Sequence, residues 1–223
     1  MRSVVKSLLV WCAAFVAASP LAAEPMSALP ATGKASVFMQ VYGPVQPPYG
    51  FVRYCEARPD GCVSKGFIDV RFQPSAVELS ELDEINRSVN SAIKPVTDAE
   101  AYGVSEYWTI PTDKGDCEDY ALLKQEVLIR RGWPSSALLM TVVRDERGEG
   151  HAVLTARTSQ GDYILDNKID DLRLWNKTGY QFVMRQSYVD PRVWVSLDEE
   201  HEKAPQALAG VRGESSAARA LEK

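Results

Sequence analysis

The sequence predicts an α+β domain in which helices pack against an antiparallel β-sheet. Two helical patterns occur in the first part of the chain, at residues 78–93 and from residue 116 onward, and short strand-like runs follow from residue 137. Helices and strands that are segregated along a chain are typical of this fold class, because alternating units would favour a parallel sheet. Two of the strand-like runs are separated by a short polar loop, which predicts an antiparallel hairpin.

Residues 1–23 have the features of a secretory signal peptide. A basic start precedes a mostly apolar run at 7–18, and the stretch PLAA at 20–23 suits cleavage after Ala23. The apolar run is shorter than the roughly 20 residues that a membrane-spanning helix needs. We therefore expect an exported protein without stable membrane insertion.

The rest of the chain fits one domain. We expect an extended, proline-rich segment at 24–50, a single domain at 51–198, and a polar, disordered tail at 199–223, to which we assign no function. The whole chain has 25 Lys and Arg against 30 Asp and Glu, a formal net charge of −5. This mildly acidic balance, without a run of basic residues, argues against a nucleic-acid partner.

The cysteines predict one disulfide and one free thiol. Once Cys12 is removed with the signal peptide, three cysteines remain in a compartment that favours disulfides. Cys55 and Cys62 flank a Pro-Asp-Gly turn signal that could bring their sulfurs together. Cys117 is then the free thiol.

The two helices have different roles. The pattern at 78–93 is one apolar stripe of an amphipathic helix that ends before a proline, and we assign it to the core. The second helix is predicted to begin at Asp116, which can cap it, with Asp119 in the capping-box position. Cations, a glycine and a proline at 130–134 are typical of its end. Cys117 therefore lies on the first turn of this helix.

The predicted hairpin would bring a histidine and an aspartate together. The predicted strands are 137–143, 151–156, 162–166, 180–184 and 192–197. If the hairpin loop is the four residues 157–160, His151 lies directly opposite Asp166, and the carboxylate can accept a hydrogen bond from the imidazole. With Cys117 they would form a triad of nucleophile, general base and orienting carboxylate. Taken alone, His151 is equally consistent with an ordinary residue at the start of a strand.

Three carboxylates surround the candidate nucleophile. Asp116, Glu118 and Asp119 repel a thiolate and should raise the pKa of Cys117, whereas the helix N-terminus and a nearby imidazolium should lower it. A bound Ca²⁺ could cancel the negative charge, since these residues offer hard oxygen ligands. No EF-hand spacing is present, and the same residues could simply stabilise the start of a helix. Charge alone leaves both interpretations open.

Several of these motifs occur in a known order. The stretches 115–124 (GDCEDYALLK), 132–134 (GWP), 150–154 (GHAVL) and 164–167 (ILDN) resemble those of the bacterial transglutaminase-like cysteine proteinases, and the resemblance runs from about Tyr54 to Val195. It implies a papain-like, transglutaminase-like core in which the nucleophile helix packs on an antiparallel sheet. It also implies that Cys117, His151 and Asp166 are the catalytic triad.

The resemblance further implies a cellular role. The LapG-type members are calcium-dependent periplasmic proteases that clip large surface adhesins, release cells from biofilms and are sequestered by an inner-membrane cyclic di-GMP receptor. By analogy the calcium ligands here would be Asp116, Glu118 and Asp119. The Cys55/Cys62 pair is more similar to the broader family than to the adhesin proteases.

Three functional hypotheses follow. The first is a periplasmic cysteine endopeptidase supported by calcium. The second is an amidase or transglutaminase-type acyltransferase, because the same acyl-enzyme can be resolved by an amine instead of water. The third is a calcium-responsive binding module whose triad is vestigial.

Overall fold

The computed structural model describes residues 36–68 and 71–199. The predicted signal peptide at 1–23 lies outside the described residues, as does the predicted tail beyond residue 199. Among the residues that are described, no helix is long and apolar enough to cross a membrane.

Four α-helices lie mostly in the first half of the described chain. They are α1 (Tyr49–Ala57), α2 (Ala76–Ala92), α3 (Asp98–Tyr102) and α4 (Cys117–Arg130). The predicted helix at 78–93 is confirmed, but it begins two residues earlier because Ser75 caps it. The Ser75 side chain accepts a hydrogen bond from the backbone N–H of Glu78, whose carboxylate accepts one in return from the Ser75 N–H.

The strands form one large antiparallel sheet and one small parallel pair. The large sheet contains β1 (Pro44–Val45), β4 (Leu138–Arg144), β5 (Gly150–Thr158), β6 (Gly161–Leu165), β7 (Arg173–Leu174), β8 (Gln181–Gln186) and β9 (Trp194–Ser196), in the order β1-β9-β8-β4-β5-β6-β7. The short strands β2 (Lys94–Pro95) and β3 (Lys114–Gly115) pair in parallel beside it. The five strands predicted from the sequence correspond to β4, β5, β6, β8 and β9, with ends that differ by a few residues.

The proline-rich segment at 24–50 contributes to this sheet where it is described. Its residues Pro44 and Val45 form β1, which pairs with Val195 and Trp194 of β9 at one edge of the sheet. Helix α1 begins at Tyr49, so the domain boundary expected at residue 51 falls inside a helix.

The predicted register of the central hairpin is wrong by two residues. Thr158 pairs with Gly161, so the loop contains only Ser159 and Gln160 instead of four residues. The Thr158 hydroxyl tightens this turn, because it donates to the Gly161 carbonyl and accepts from the Gln160 N–H. Gly161 has φ +140°, a conformation that favours glycine. A shift of two positions leaves every side chain on its predicted face, because the period of a strand is two.

The predicted disulfide is present. Cys55 in α1 is bonded to Cys62 at the end of a 3₁₀ turn, with their Cα atoms 5.6 Å apart. Cys62 is buried in the main core, so the bond ties the exposed end of α1 to the packed interior. Cys117 is the free cysteine of the described residues, as predicted.

The two faces of the large sheet carry different clusters. Helices α2 and α4 pack against one face with the larger hydrophobic core, which includes Leu82, Leu122 and Leu154. A smaller cluster, with Val143 and Val153, covers the other face. Helix α4 is buried around much of its circumference and begins at one end of the sheet, which places Cys117 at that end.

Candidate active site

Cys117 is the first residue of α4, and its neighbours are arranged differently from the predicted capping box. Asp116 occupies the N-cap position, but its side chain makes no capping hydrogen bond. Asp119 does not close a capping box with it, because the Oδ1 atom of Asp119 accepts a hydrogen bond from the Thr109 N–H at 2.9 Å. Its carboxylate packs closely over Gly115, where an added Cβ would lie 2.5 Å from Asp119 Oδ2. Burial raises the pKa of Asp119 to about 7.

His151 and Asp166 form a buried hydrogen-bonded pair. The Nε2 atom of His151 lies 2.9 Å from Oδ1 of Asp166, and the two residues are only 4% and 3% exposed. In the observed register His151 and Asp166 are not directly opposite each other. Asp166 follows the end of β6 and lies two positions away from the point opposite His151, on the same face of the sheet. A diagonal neighbour remains within reach of a long side chain such as histidine.

The charge of Asp166 fixes the tautomer of the imidazole. Burial alone would raise the pKa of Asp166, but hydrogen bonds from His151, Tyr180 and the Lys168 N–H outweigh burial and lower this pKa below its ordinary value. An ionised carboxylate can only accept hydrogen bonds. Nε2 of His151 therefore carries the proton, and Nδ1 is the basic ring nitrogen.

Cys117 and His151 reach one cavity from opposite faces of the sheet. His151 pairs directly with Val143 of the smaller cluster, whereas α4 packs on the larger core. They meet where β5 begins, and there the Ala152 N–H donates to the Cys117 sulfur at 3.4 Å. The cavity has a volume of about 320 Å³ and is lined by Pro95, Val96, Thr97, Glu100, Asp116, Cys117, Gly150, His151, Asn167 and Lys168.

An acidic cluster next to the cavity contains a residue that the sequence reasoning missed. Ligand oxygens of Asp98, Asp116 and Glu118 lie within 4.8 Å of one another. The Asp98 N–H donates to Oδ2 of Asp116 at 3.2 Å, and Oδ2 of Asp98 accepts from the Tyr107 N–H. The capping box of Thr97 and Glu100 marks the start of α3 in the sequence, but it does not show that α3 begins beside Cys117. Asp119 is not a member of this cluster.

The cluster lies against the nucleophile, and its carboxyl groups are hard to ionise together. Burial, followed by the charge of Asp116, raises the pKa of Glu118 to about 9. The Cys117 thiol donates to Oε2 of Glu118 at 3.1 Å. Burial and then the charge of Glu118 raise the pKa of Cys117 well above its ordinary value. The repulsion predicted from the sequence is therefore present, but burial contributes more than repulsion to the raised pKa of Cys117.

The cluster also fits a hard divalent cation. Oδ1 of Asp116 is buried, and among the described residues it has no hydrogen-bond partner. Buried carboxylate oxygens without donors are costly unless a positive charge compensates them. Three carboxylates at this separation are the ligand type that Ca²⁺ prefers.

Tyr180 is a second residue that the sequence did not reveal. Its hydroxyl donates to Oδ2 of Asp166 at 2.6 Å, and its ring meets the His151 ring edge-on at 5.7 Å between centroids. A tyrosine at the start of a predicted strand carries no signal that separates this position from core packing.

The fold and the site together define a class of protein. A cysteine at the N-terminus of a helix that packs on an antiparallel sheet is the arrangement of a papain-like, transglutaminase-like core. A family model of the bacterial transglutaminase-like cysteine proteinases matches residues 41–202. The chain belongs to this family and is a cysteine proteinase by membership.

Solved structures of LapG from Legionella pneumophila are similar to this chain. The calcium-bound form is 24% identical, with 65% of this chain and 76% of that chain covered and a TM-score of 0.46. The EGTA-treated form is 26% identical, with 51% and 64% covered and a TM-score of 0.43. A further LapG structure is 24% identical, with 51% and 65% covered and a TM-score of 0.42. The last two matches span just under two thirds of those chains. A search of curated proteins found no match.

Proposed function

We propose that the chain is a periplasmic, calcium-supported cysteine endopeptidase with the triad Cys117, His151 and Asp166. Its proposed substrate is an exported or surface adhesin, whose cleavage would control biofilm attachment. The observation that supports the triad most is the 2.9 Å contact between His151 Nε2 and Asp166 Oδ1, since His151 also lines the cavity that Cys117 lines. Periplasmic location, the adhesin and an inner-membrane cyclic di-GMP receptor are proposed from the family resemblance.

The tautomer of His151 gives each triad member a role. Because Nε2 donates to Asp166, Nδ1 accepts the thiol proton of Cys117 as the sulfur attacks the peptide carbonyl. The imidazolium then donates this proton to the leaving amine, and a thioester remains on Cys117. Water attacks the thioester with Nδ1 again as the base, which releases the new carboxylate and the free thiol. Asp166 stays ionised throughout and stabilises the imidazolium.

The start of α4 can stabilise the tetrahedral intermediate. At the N-terminus of α4, the first intrahelical hydrogen bond runs from the Tyr120 N–H to the Asp116 carbonyl. The preceding N–H groups of the first turn have no intrahelical acceptor, and the Asp116 side chain does not cap them. A helix N-terminus with uncapped N–H groups favours a developing oxyanion beside the nucleophile.

Calcium would be held by Asp98, Asp116 and Glu118. When bound, it would supply the positive charge that offsets these carboxylates beside Cys117. A Glu118 carboxylate that binds a cation is withdrawn as an acceptor for the Cys117 thiol, which leaves that proton to His151. This assignment replaces Asp119 with Asp98 in the set expected from the sequence.

A proteolysis experiment tests the proposed function. The full chain would be incubated with the N-terminal fragment of a candidate adhesin, in Ca²⁺ and in EGTA, with Cys117→Ala as the blank. Mass spectrometry would identify the products. We expect a new N-terminus that requires both Cys117 and Ca²⁺.

Other results would contradict separate parts of the proposal. Cleavage that persists in EGTA would remove the calcium requirement, and a new amide or crosslink would identify an acyltransferase. An intact fragment, together with iodoacetamide labelling of Cys117 that depends on His151, would show that the adhesin is not the substrate. Equal labelling of the wild type and His151→Ala would support a binding module with a vestigial triad.

Asp98→Asn is expected to weaken calcium binding on the order of tenfold or more, because it removes one of three ligand charges. Isothermal titration calorimetry with Ca²⁺ would measure this directly, and the Ca²⁺ concentration for half-maximal cleavage should rise in parallel. Asp119→Asn is the matched control, since Asp119 lies in the same turn as the nucleophile but outside the cluster. A larger loss of affinity in Asp119→Asn than in Asp98→Asn would restore the ligand set expected from the sequence.

A further inference from the structure

We infer that Tyr180 is a positioning residue that holds Asp166, and through it His151, in the geometry that the reaction needs. This inference rests on the proposed triad and deepens it. Tyr180 contacts both partners of the buried pair, with its hydroxyl on Asp166 and its ring edge on His151. Neither contact requires Tyr180 to touch the substrate.

The hydrogen bonds of Asp166 show why this hydroxyl matters. Oδ1 accepts from Nε2 of His151 at 2.9 Å and from the Lys168 N–H at 3.0 Å. Among the described residues, the Tyr180 hydroxyl is the donor to Oδ2, at 2.6 Å. Donors on both oxygens fix the rotation of the carboxylate about its Cβ–Cγ bond. Without Tyr180 the carboxylate is held at one oxygen only, and the imidazole loses the fixed acceptor that selects its tautomer.

The ring of Tyr180 supplies a second constraint. It meets the His151 ring at an interplanar angle of 81°, which is an edge-to-face contact. The His151 imidazole is therefore held in its plane by the hydrogen bond to Asp166, and the Tyr180 ring packs against it at a steep angle. Removal of the hydroxyl alone and removal of the whole side chain should consequently have different effects.

The backbone before β8 fixes the position of Tyr180. Gly179 has φ +81°, and the Tyr180 N–H donates to the Thr178 hydroxyl at 3.3 Å. That hydroxyl also donates to the Trp175 carbonyl, so the turn is closed by two side-chain bonds. Tyr180 is thus held by a defined turn, as a positioning role requires.

The electrostatic surroundings keep the hydroxyl protonated. Burial, followed by the hydrogen bond to Asp166, raises the pKa of Tyr180 above its ordinary value, and the charges of Glu146 and Asp145 act in the same direction. Lys168 forms an ion pair with Asp145 at 2.9 Å. The Tyr180 hydroxyl therefore remains a donor to Asp166 at every pH at which the triad could act.

The test compares Tyr180→Phe with the wild-type chain. For cleavage of the adhesin fragment we expect kcat to fall by about tenfold to a hundredfold with KM little changed, because misplacement of a catalytic group by about 1 Å has effects on this scale. Alkylation of Cys117 by iodoacetamide, located by peptide mass mapping, should slow by a similar factor. Tyr180→Ala should lose more, since it also removes the ring.

Imidazole NMR provides a readout that a merely structural role would not change. The chain has two histidines, His151 and His201, so the ring signals can be assigned with one His201→Gln sample. In the wild type we expect a downfield Nε2 proton from the bond to Asp166, and in Tyr180→Phe a broadened or shifted signal. Tyr120→Phe is the matched control, because it deletes a buried hydroxyl that donates to the Ile93 carbonyl away from Asp166.

The outcomes separate this inference from the proposed function. Wild-type kcat and an unchanged His151 signal in Tyr180→Phe would overturn the positioning role. If Tyr180→Phe and Tyr120→Phe lost the same activity for the same loss of stability, the effect would be general destabilisation, and the positioning role would also be overturned. If the wild type cleaves nothing, the proposed function fails, and the His151 signal still decides whether Tyr180 holds the pair.

Discussion

Cys117→Ala is expected to lower peptide-bond cleavage by roughly 10⁵-fold to 10⁶-fold, because it removes the sulfur that forms the acyl-enzyme. His151→Ala should cost a similar factor, since the thiol of Cys117 has a raised pKa and needs a base to accept its proton. The double variant should be no slower than either single variant, because residues that act as a unit are not additive. Single-turnover cleavage of the adhesin fragment would measure all three rates.

Asp166→Asn gives a more specific test of the same unit. The carboxylate accepts three hydrogen bonds, from His151, Tyr180 and the Lys168 N–H. An amide cannot accept at both of its ends, so its nitrogen must face one of these donors. The Tyr180 hydroxyl can rotate to accept from the amide, whereas the Lys168 N–H can only donate, so the amide oxygen keeps the bonds from His151 and Lys168 and the nitrogen faces Tyr180. The tautomer of His151 is then kept, but the negative charge that stabilises the imidazolium is lost, and we expect kcat to fall by about a hundredfold.

Circular dichroism would show that these variants are folded. Residual activity of His151→Ala within tenfold of the wild type would contradict the triad. A similar result for Cys117→Ala would exclude covalent catalysis by this cysteine.

Asn86→Leu is expected to destabilise the fold by about 2–4 kcal/mol, because it leaves the buried Lys124 amine and two backbone carbonyls without their hydrogen-bond partner. Lys124 lies in the middle of α4 and is fully buried, and its Nζ donates to Oδ1 of Asn86 at 2.8 Å. The Asn86 amide in turn donates to the carbonyls of Ile169 and Asp170, at 3.0 and 2.8 Å. Asn86 therefore links the nucleophile helix to the loop that follows Asp166.

The opposite substitution should be mild. Lys124→Met removes the charge itself and keeps an unbranched side chain of similar length, so we expect a small change or a gain in stability at neutral pH. The double variant Asn86→Leu with Lys124→Met should recover the part of the stability that Asn86→Leu loses through Lys124, but not the part lost at the two carbonyls. Urea unfolding of the four proteins completes a double-mutant cycle. A loss below about 1 kcal/mol in Asn86→Leu, within the range of an ordinary substitution, would show that the lysine is not held as described.

The pH dependence of unfolding tests the same lysine. Burial lowers the pKa of Lys124 from its ordinary 10.5 to about 7, although the charges of Asp166 and Asp170 oppose this shift. Between these two values the unfolded chain binds more protons than the folded chain. The free energy of unfolding should therefore rise with pH across this window, by up to about 1.4 kcal/mol per pH unit.

The free energy of unfolding of Lys124→Met should lack this rise with pH. The difference between the curves of the wild type and Lys124→Met isolates the contribution of the lysine from that of all other titrating groups. Lys177→Met is the control, because Lys177 is exposed. Parallel curves for the wild type and Lys124→Met between pH 7 and 9.5 would show that the pKa of Lys124 is not lowered.

Local chemistry allowed much of the fold to be predicted from the sequence. The apolar stripe at 78–93 predicts α2 because helix periodicity is a property of consecutive residues. The turn signal between Cys55 and Cys62 predicts their disulfide for the same reason, since the two are only seven positions apart. Cys117 was placed correctly on the first turn of α4, because the residues that start and end this helix lie within the helix or next to it.

The details of the site depend on contacts between distant residues. Asp98 precedes Asp116 by 18 residues, and only the packing of α3 beside α4 brings their carboxylates together. Asp119 points to Thr109 instead of closing a capping box, because Gly115 lets its carboxylate pack against the backbone. The hairpin register is an exception, because it follows from a local two-residue turn that the Thr158 hydroxyl tightens.

The sequence by itself determined helices α2 and α4, the five longer strands of the large sheet, the disulfide and the residue types that the reaction needs, because each depends on residues close together along the chain. Only the tertiary structure decided which groups share the site. It joined Tyr180 to Asp166, Asp98 to Asp116 and Asn86 to Lys124, because a helix packed on a sheet fixes side chains at distances that no local pattern encodes.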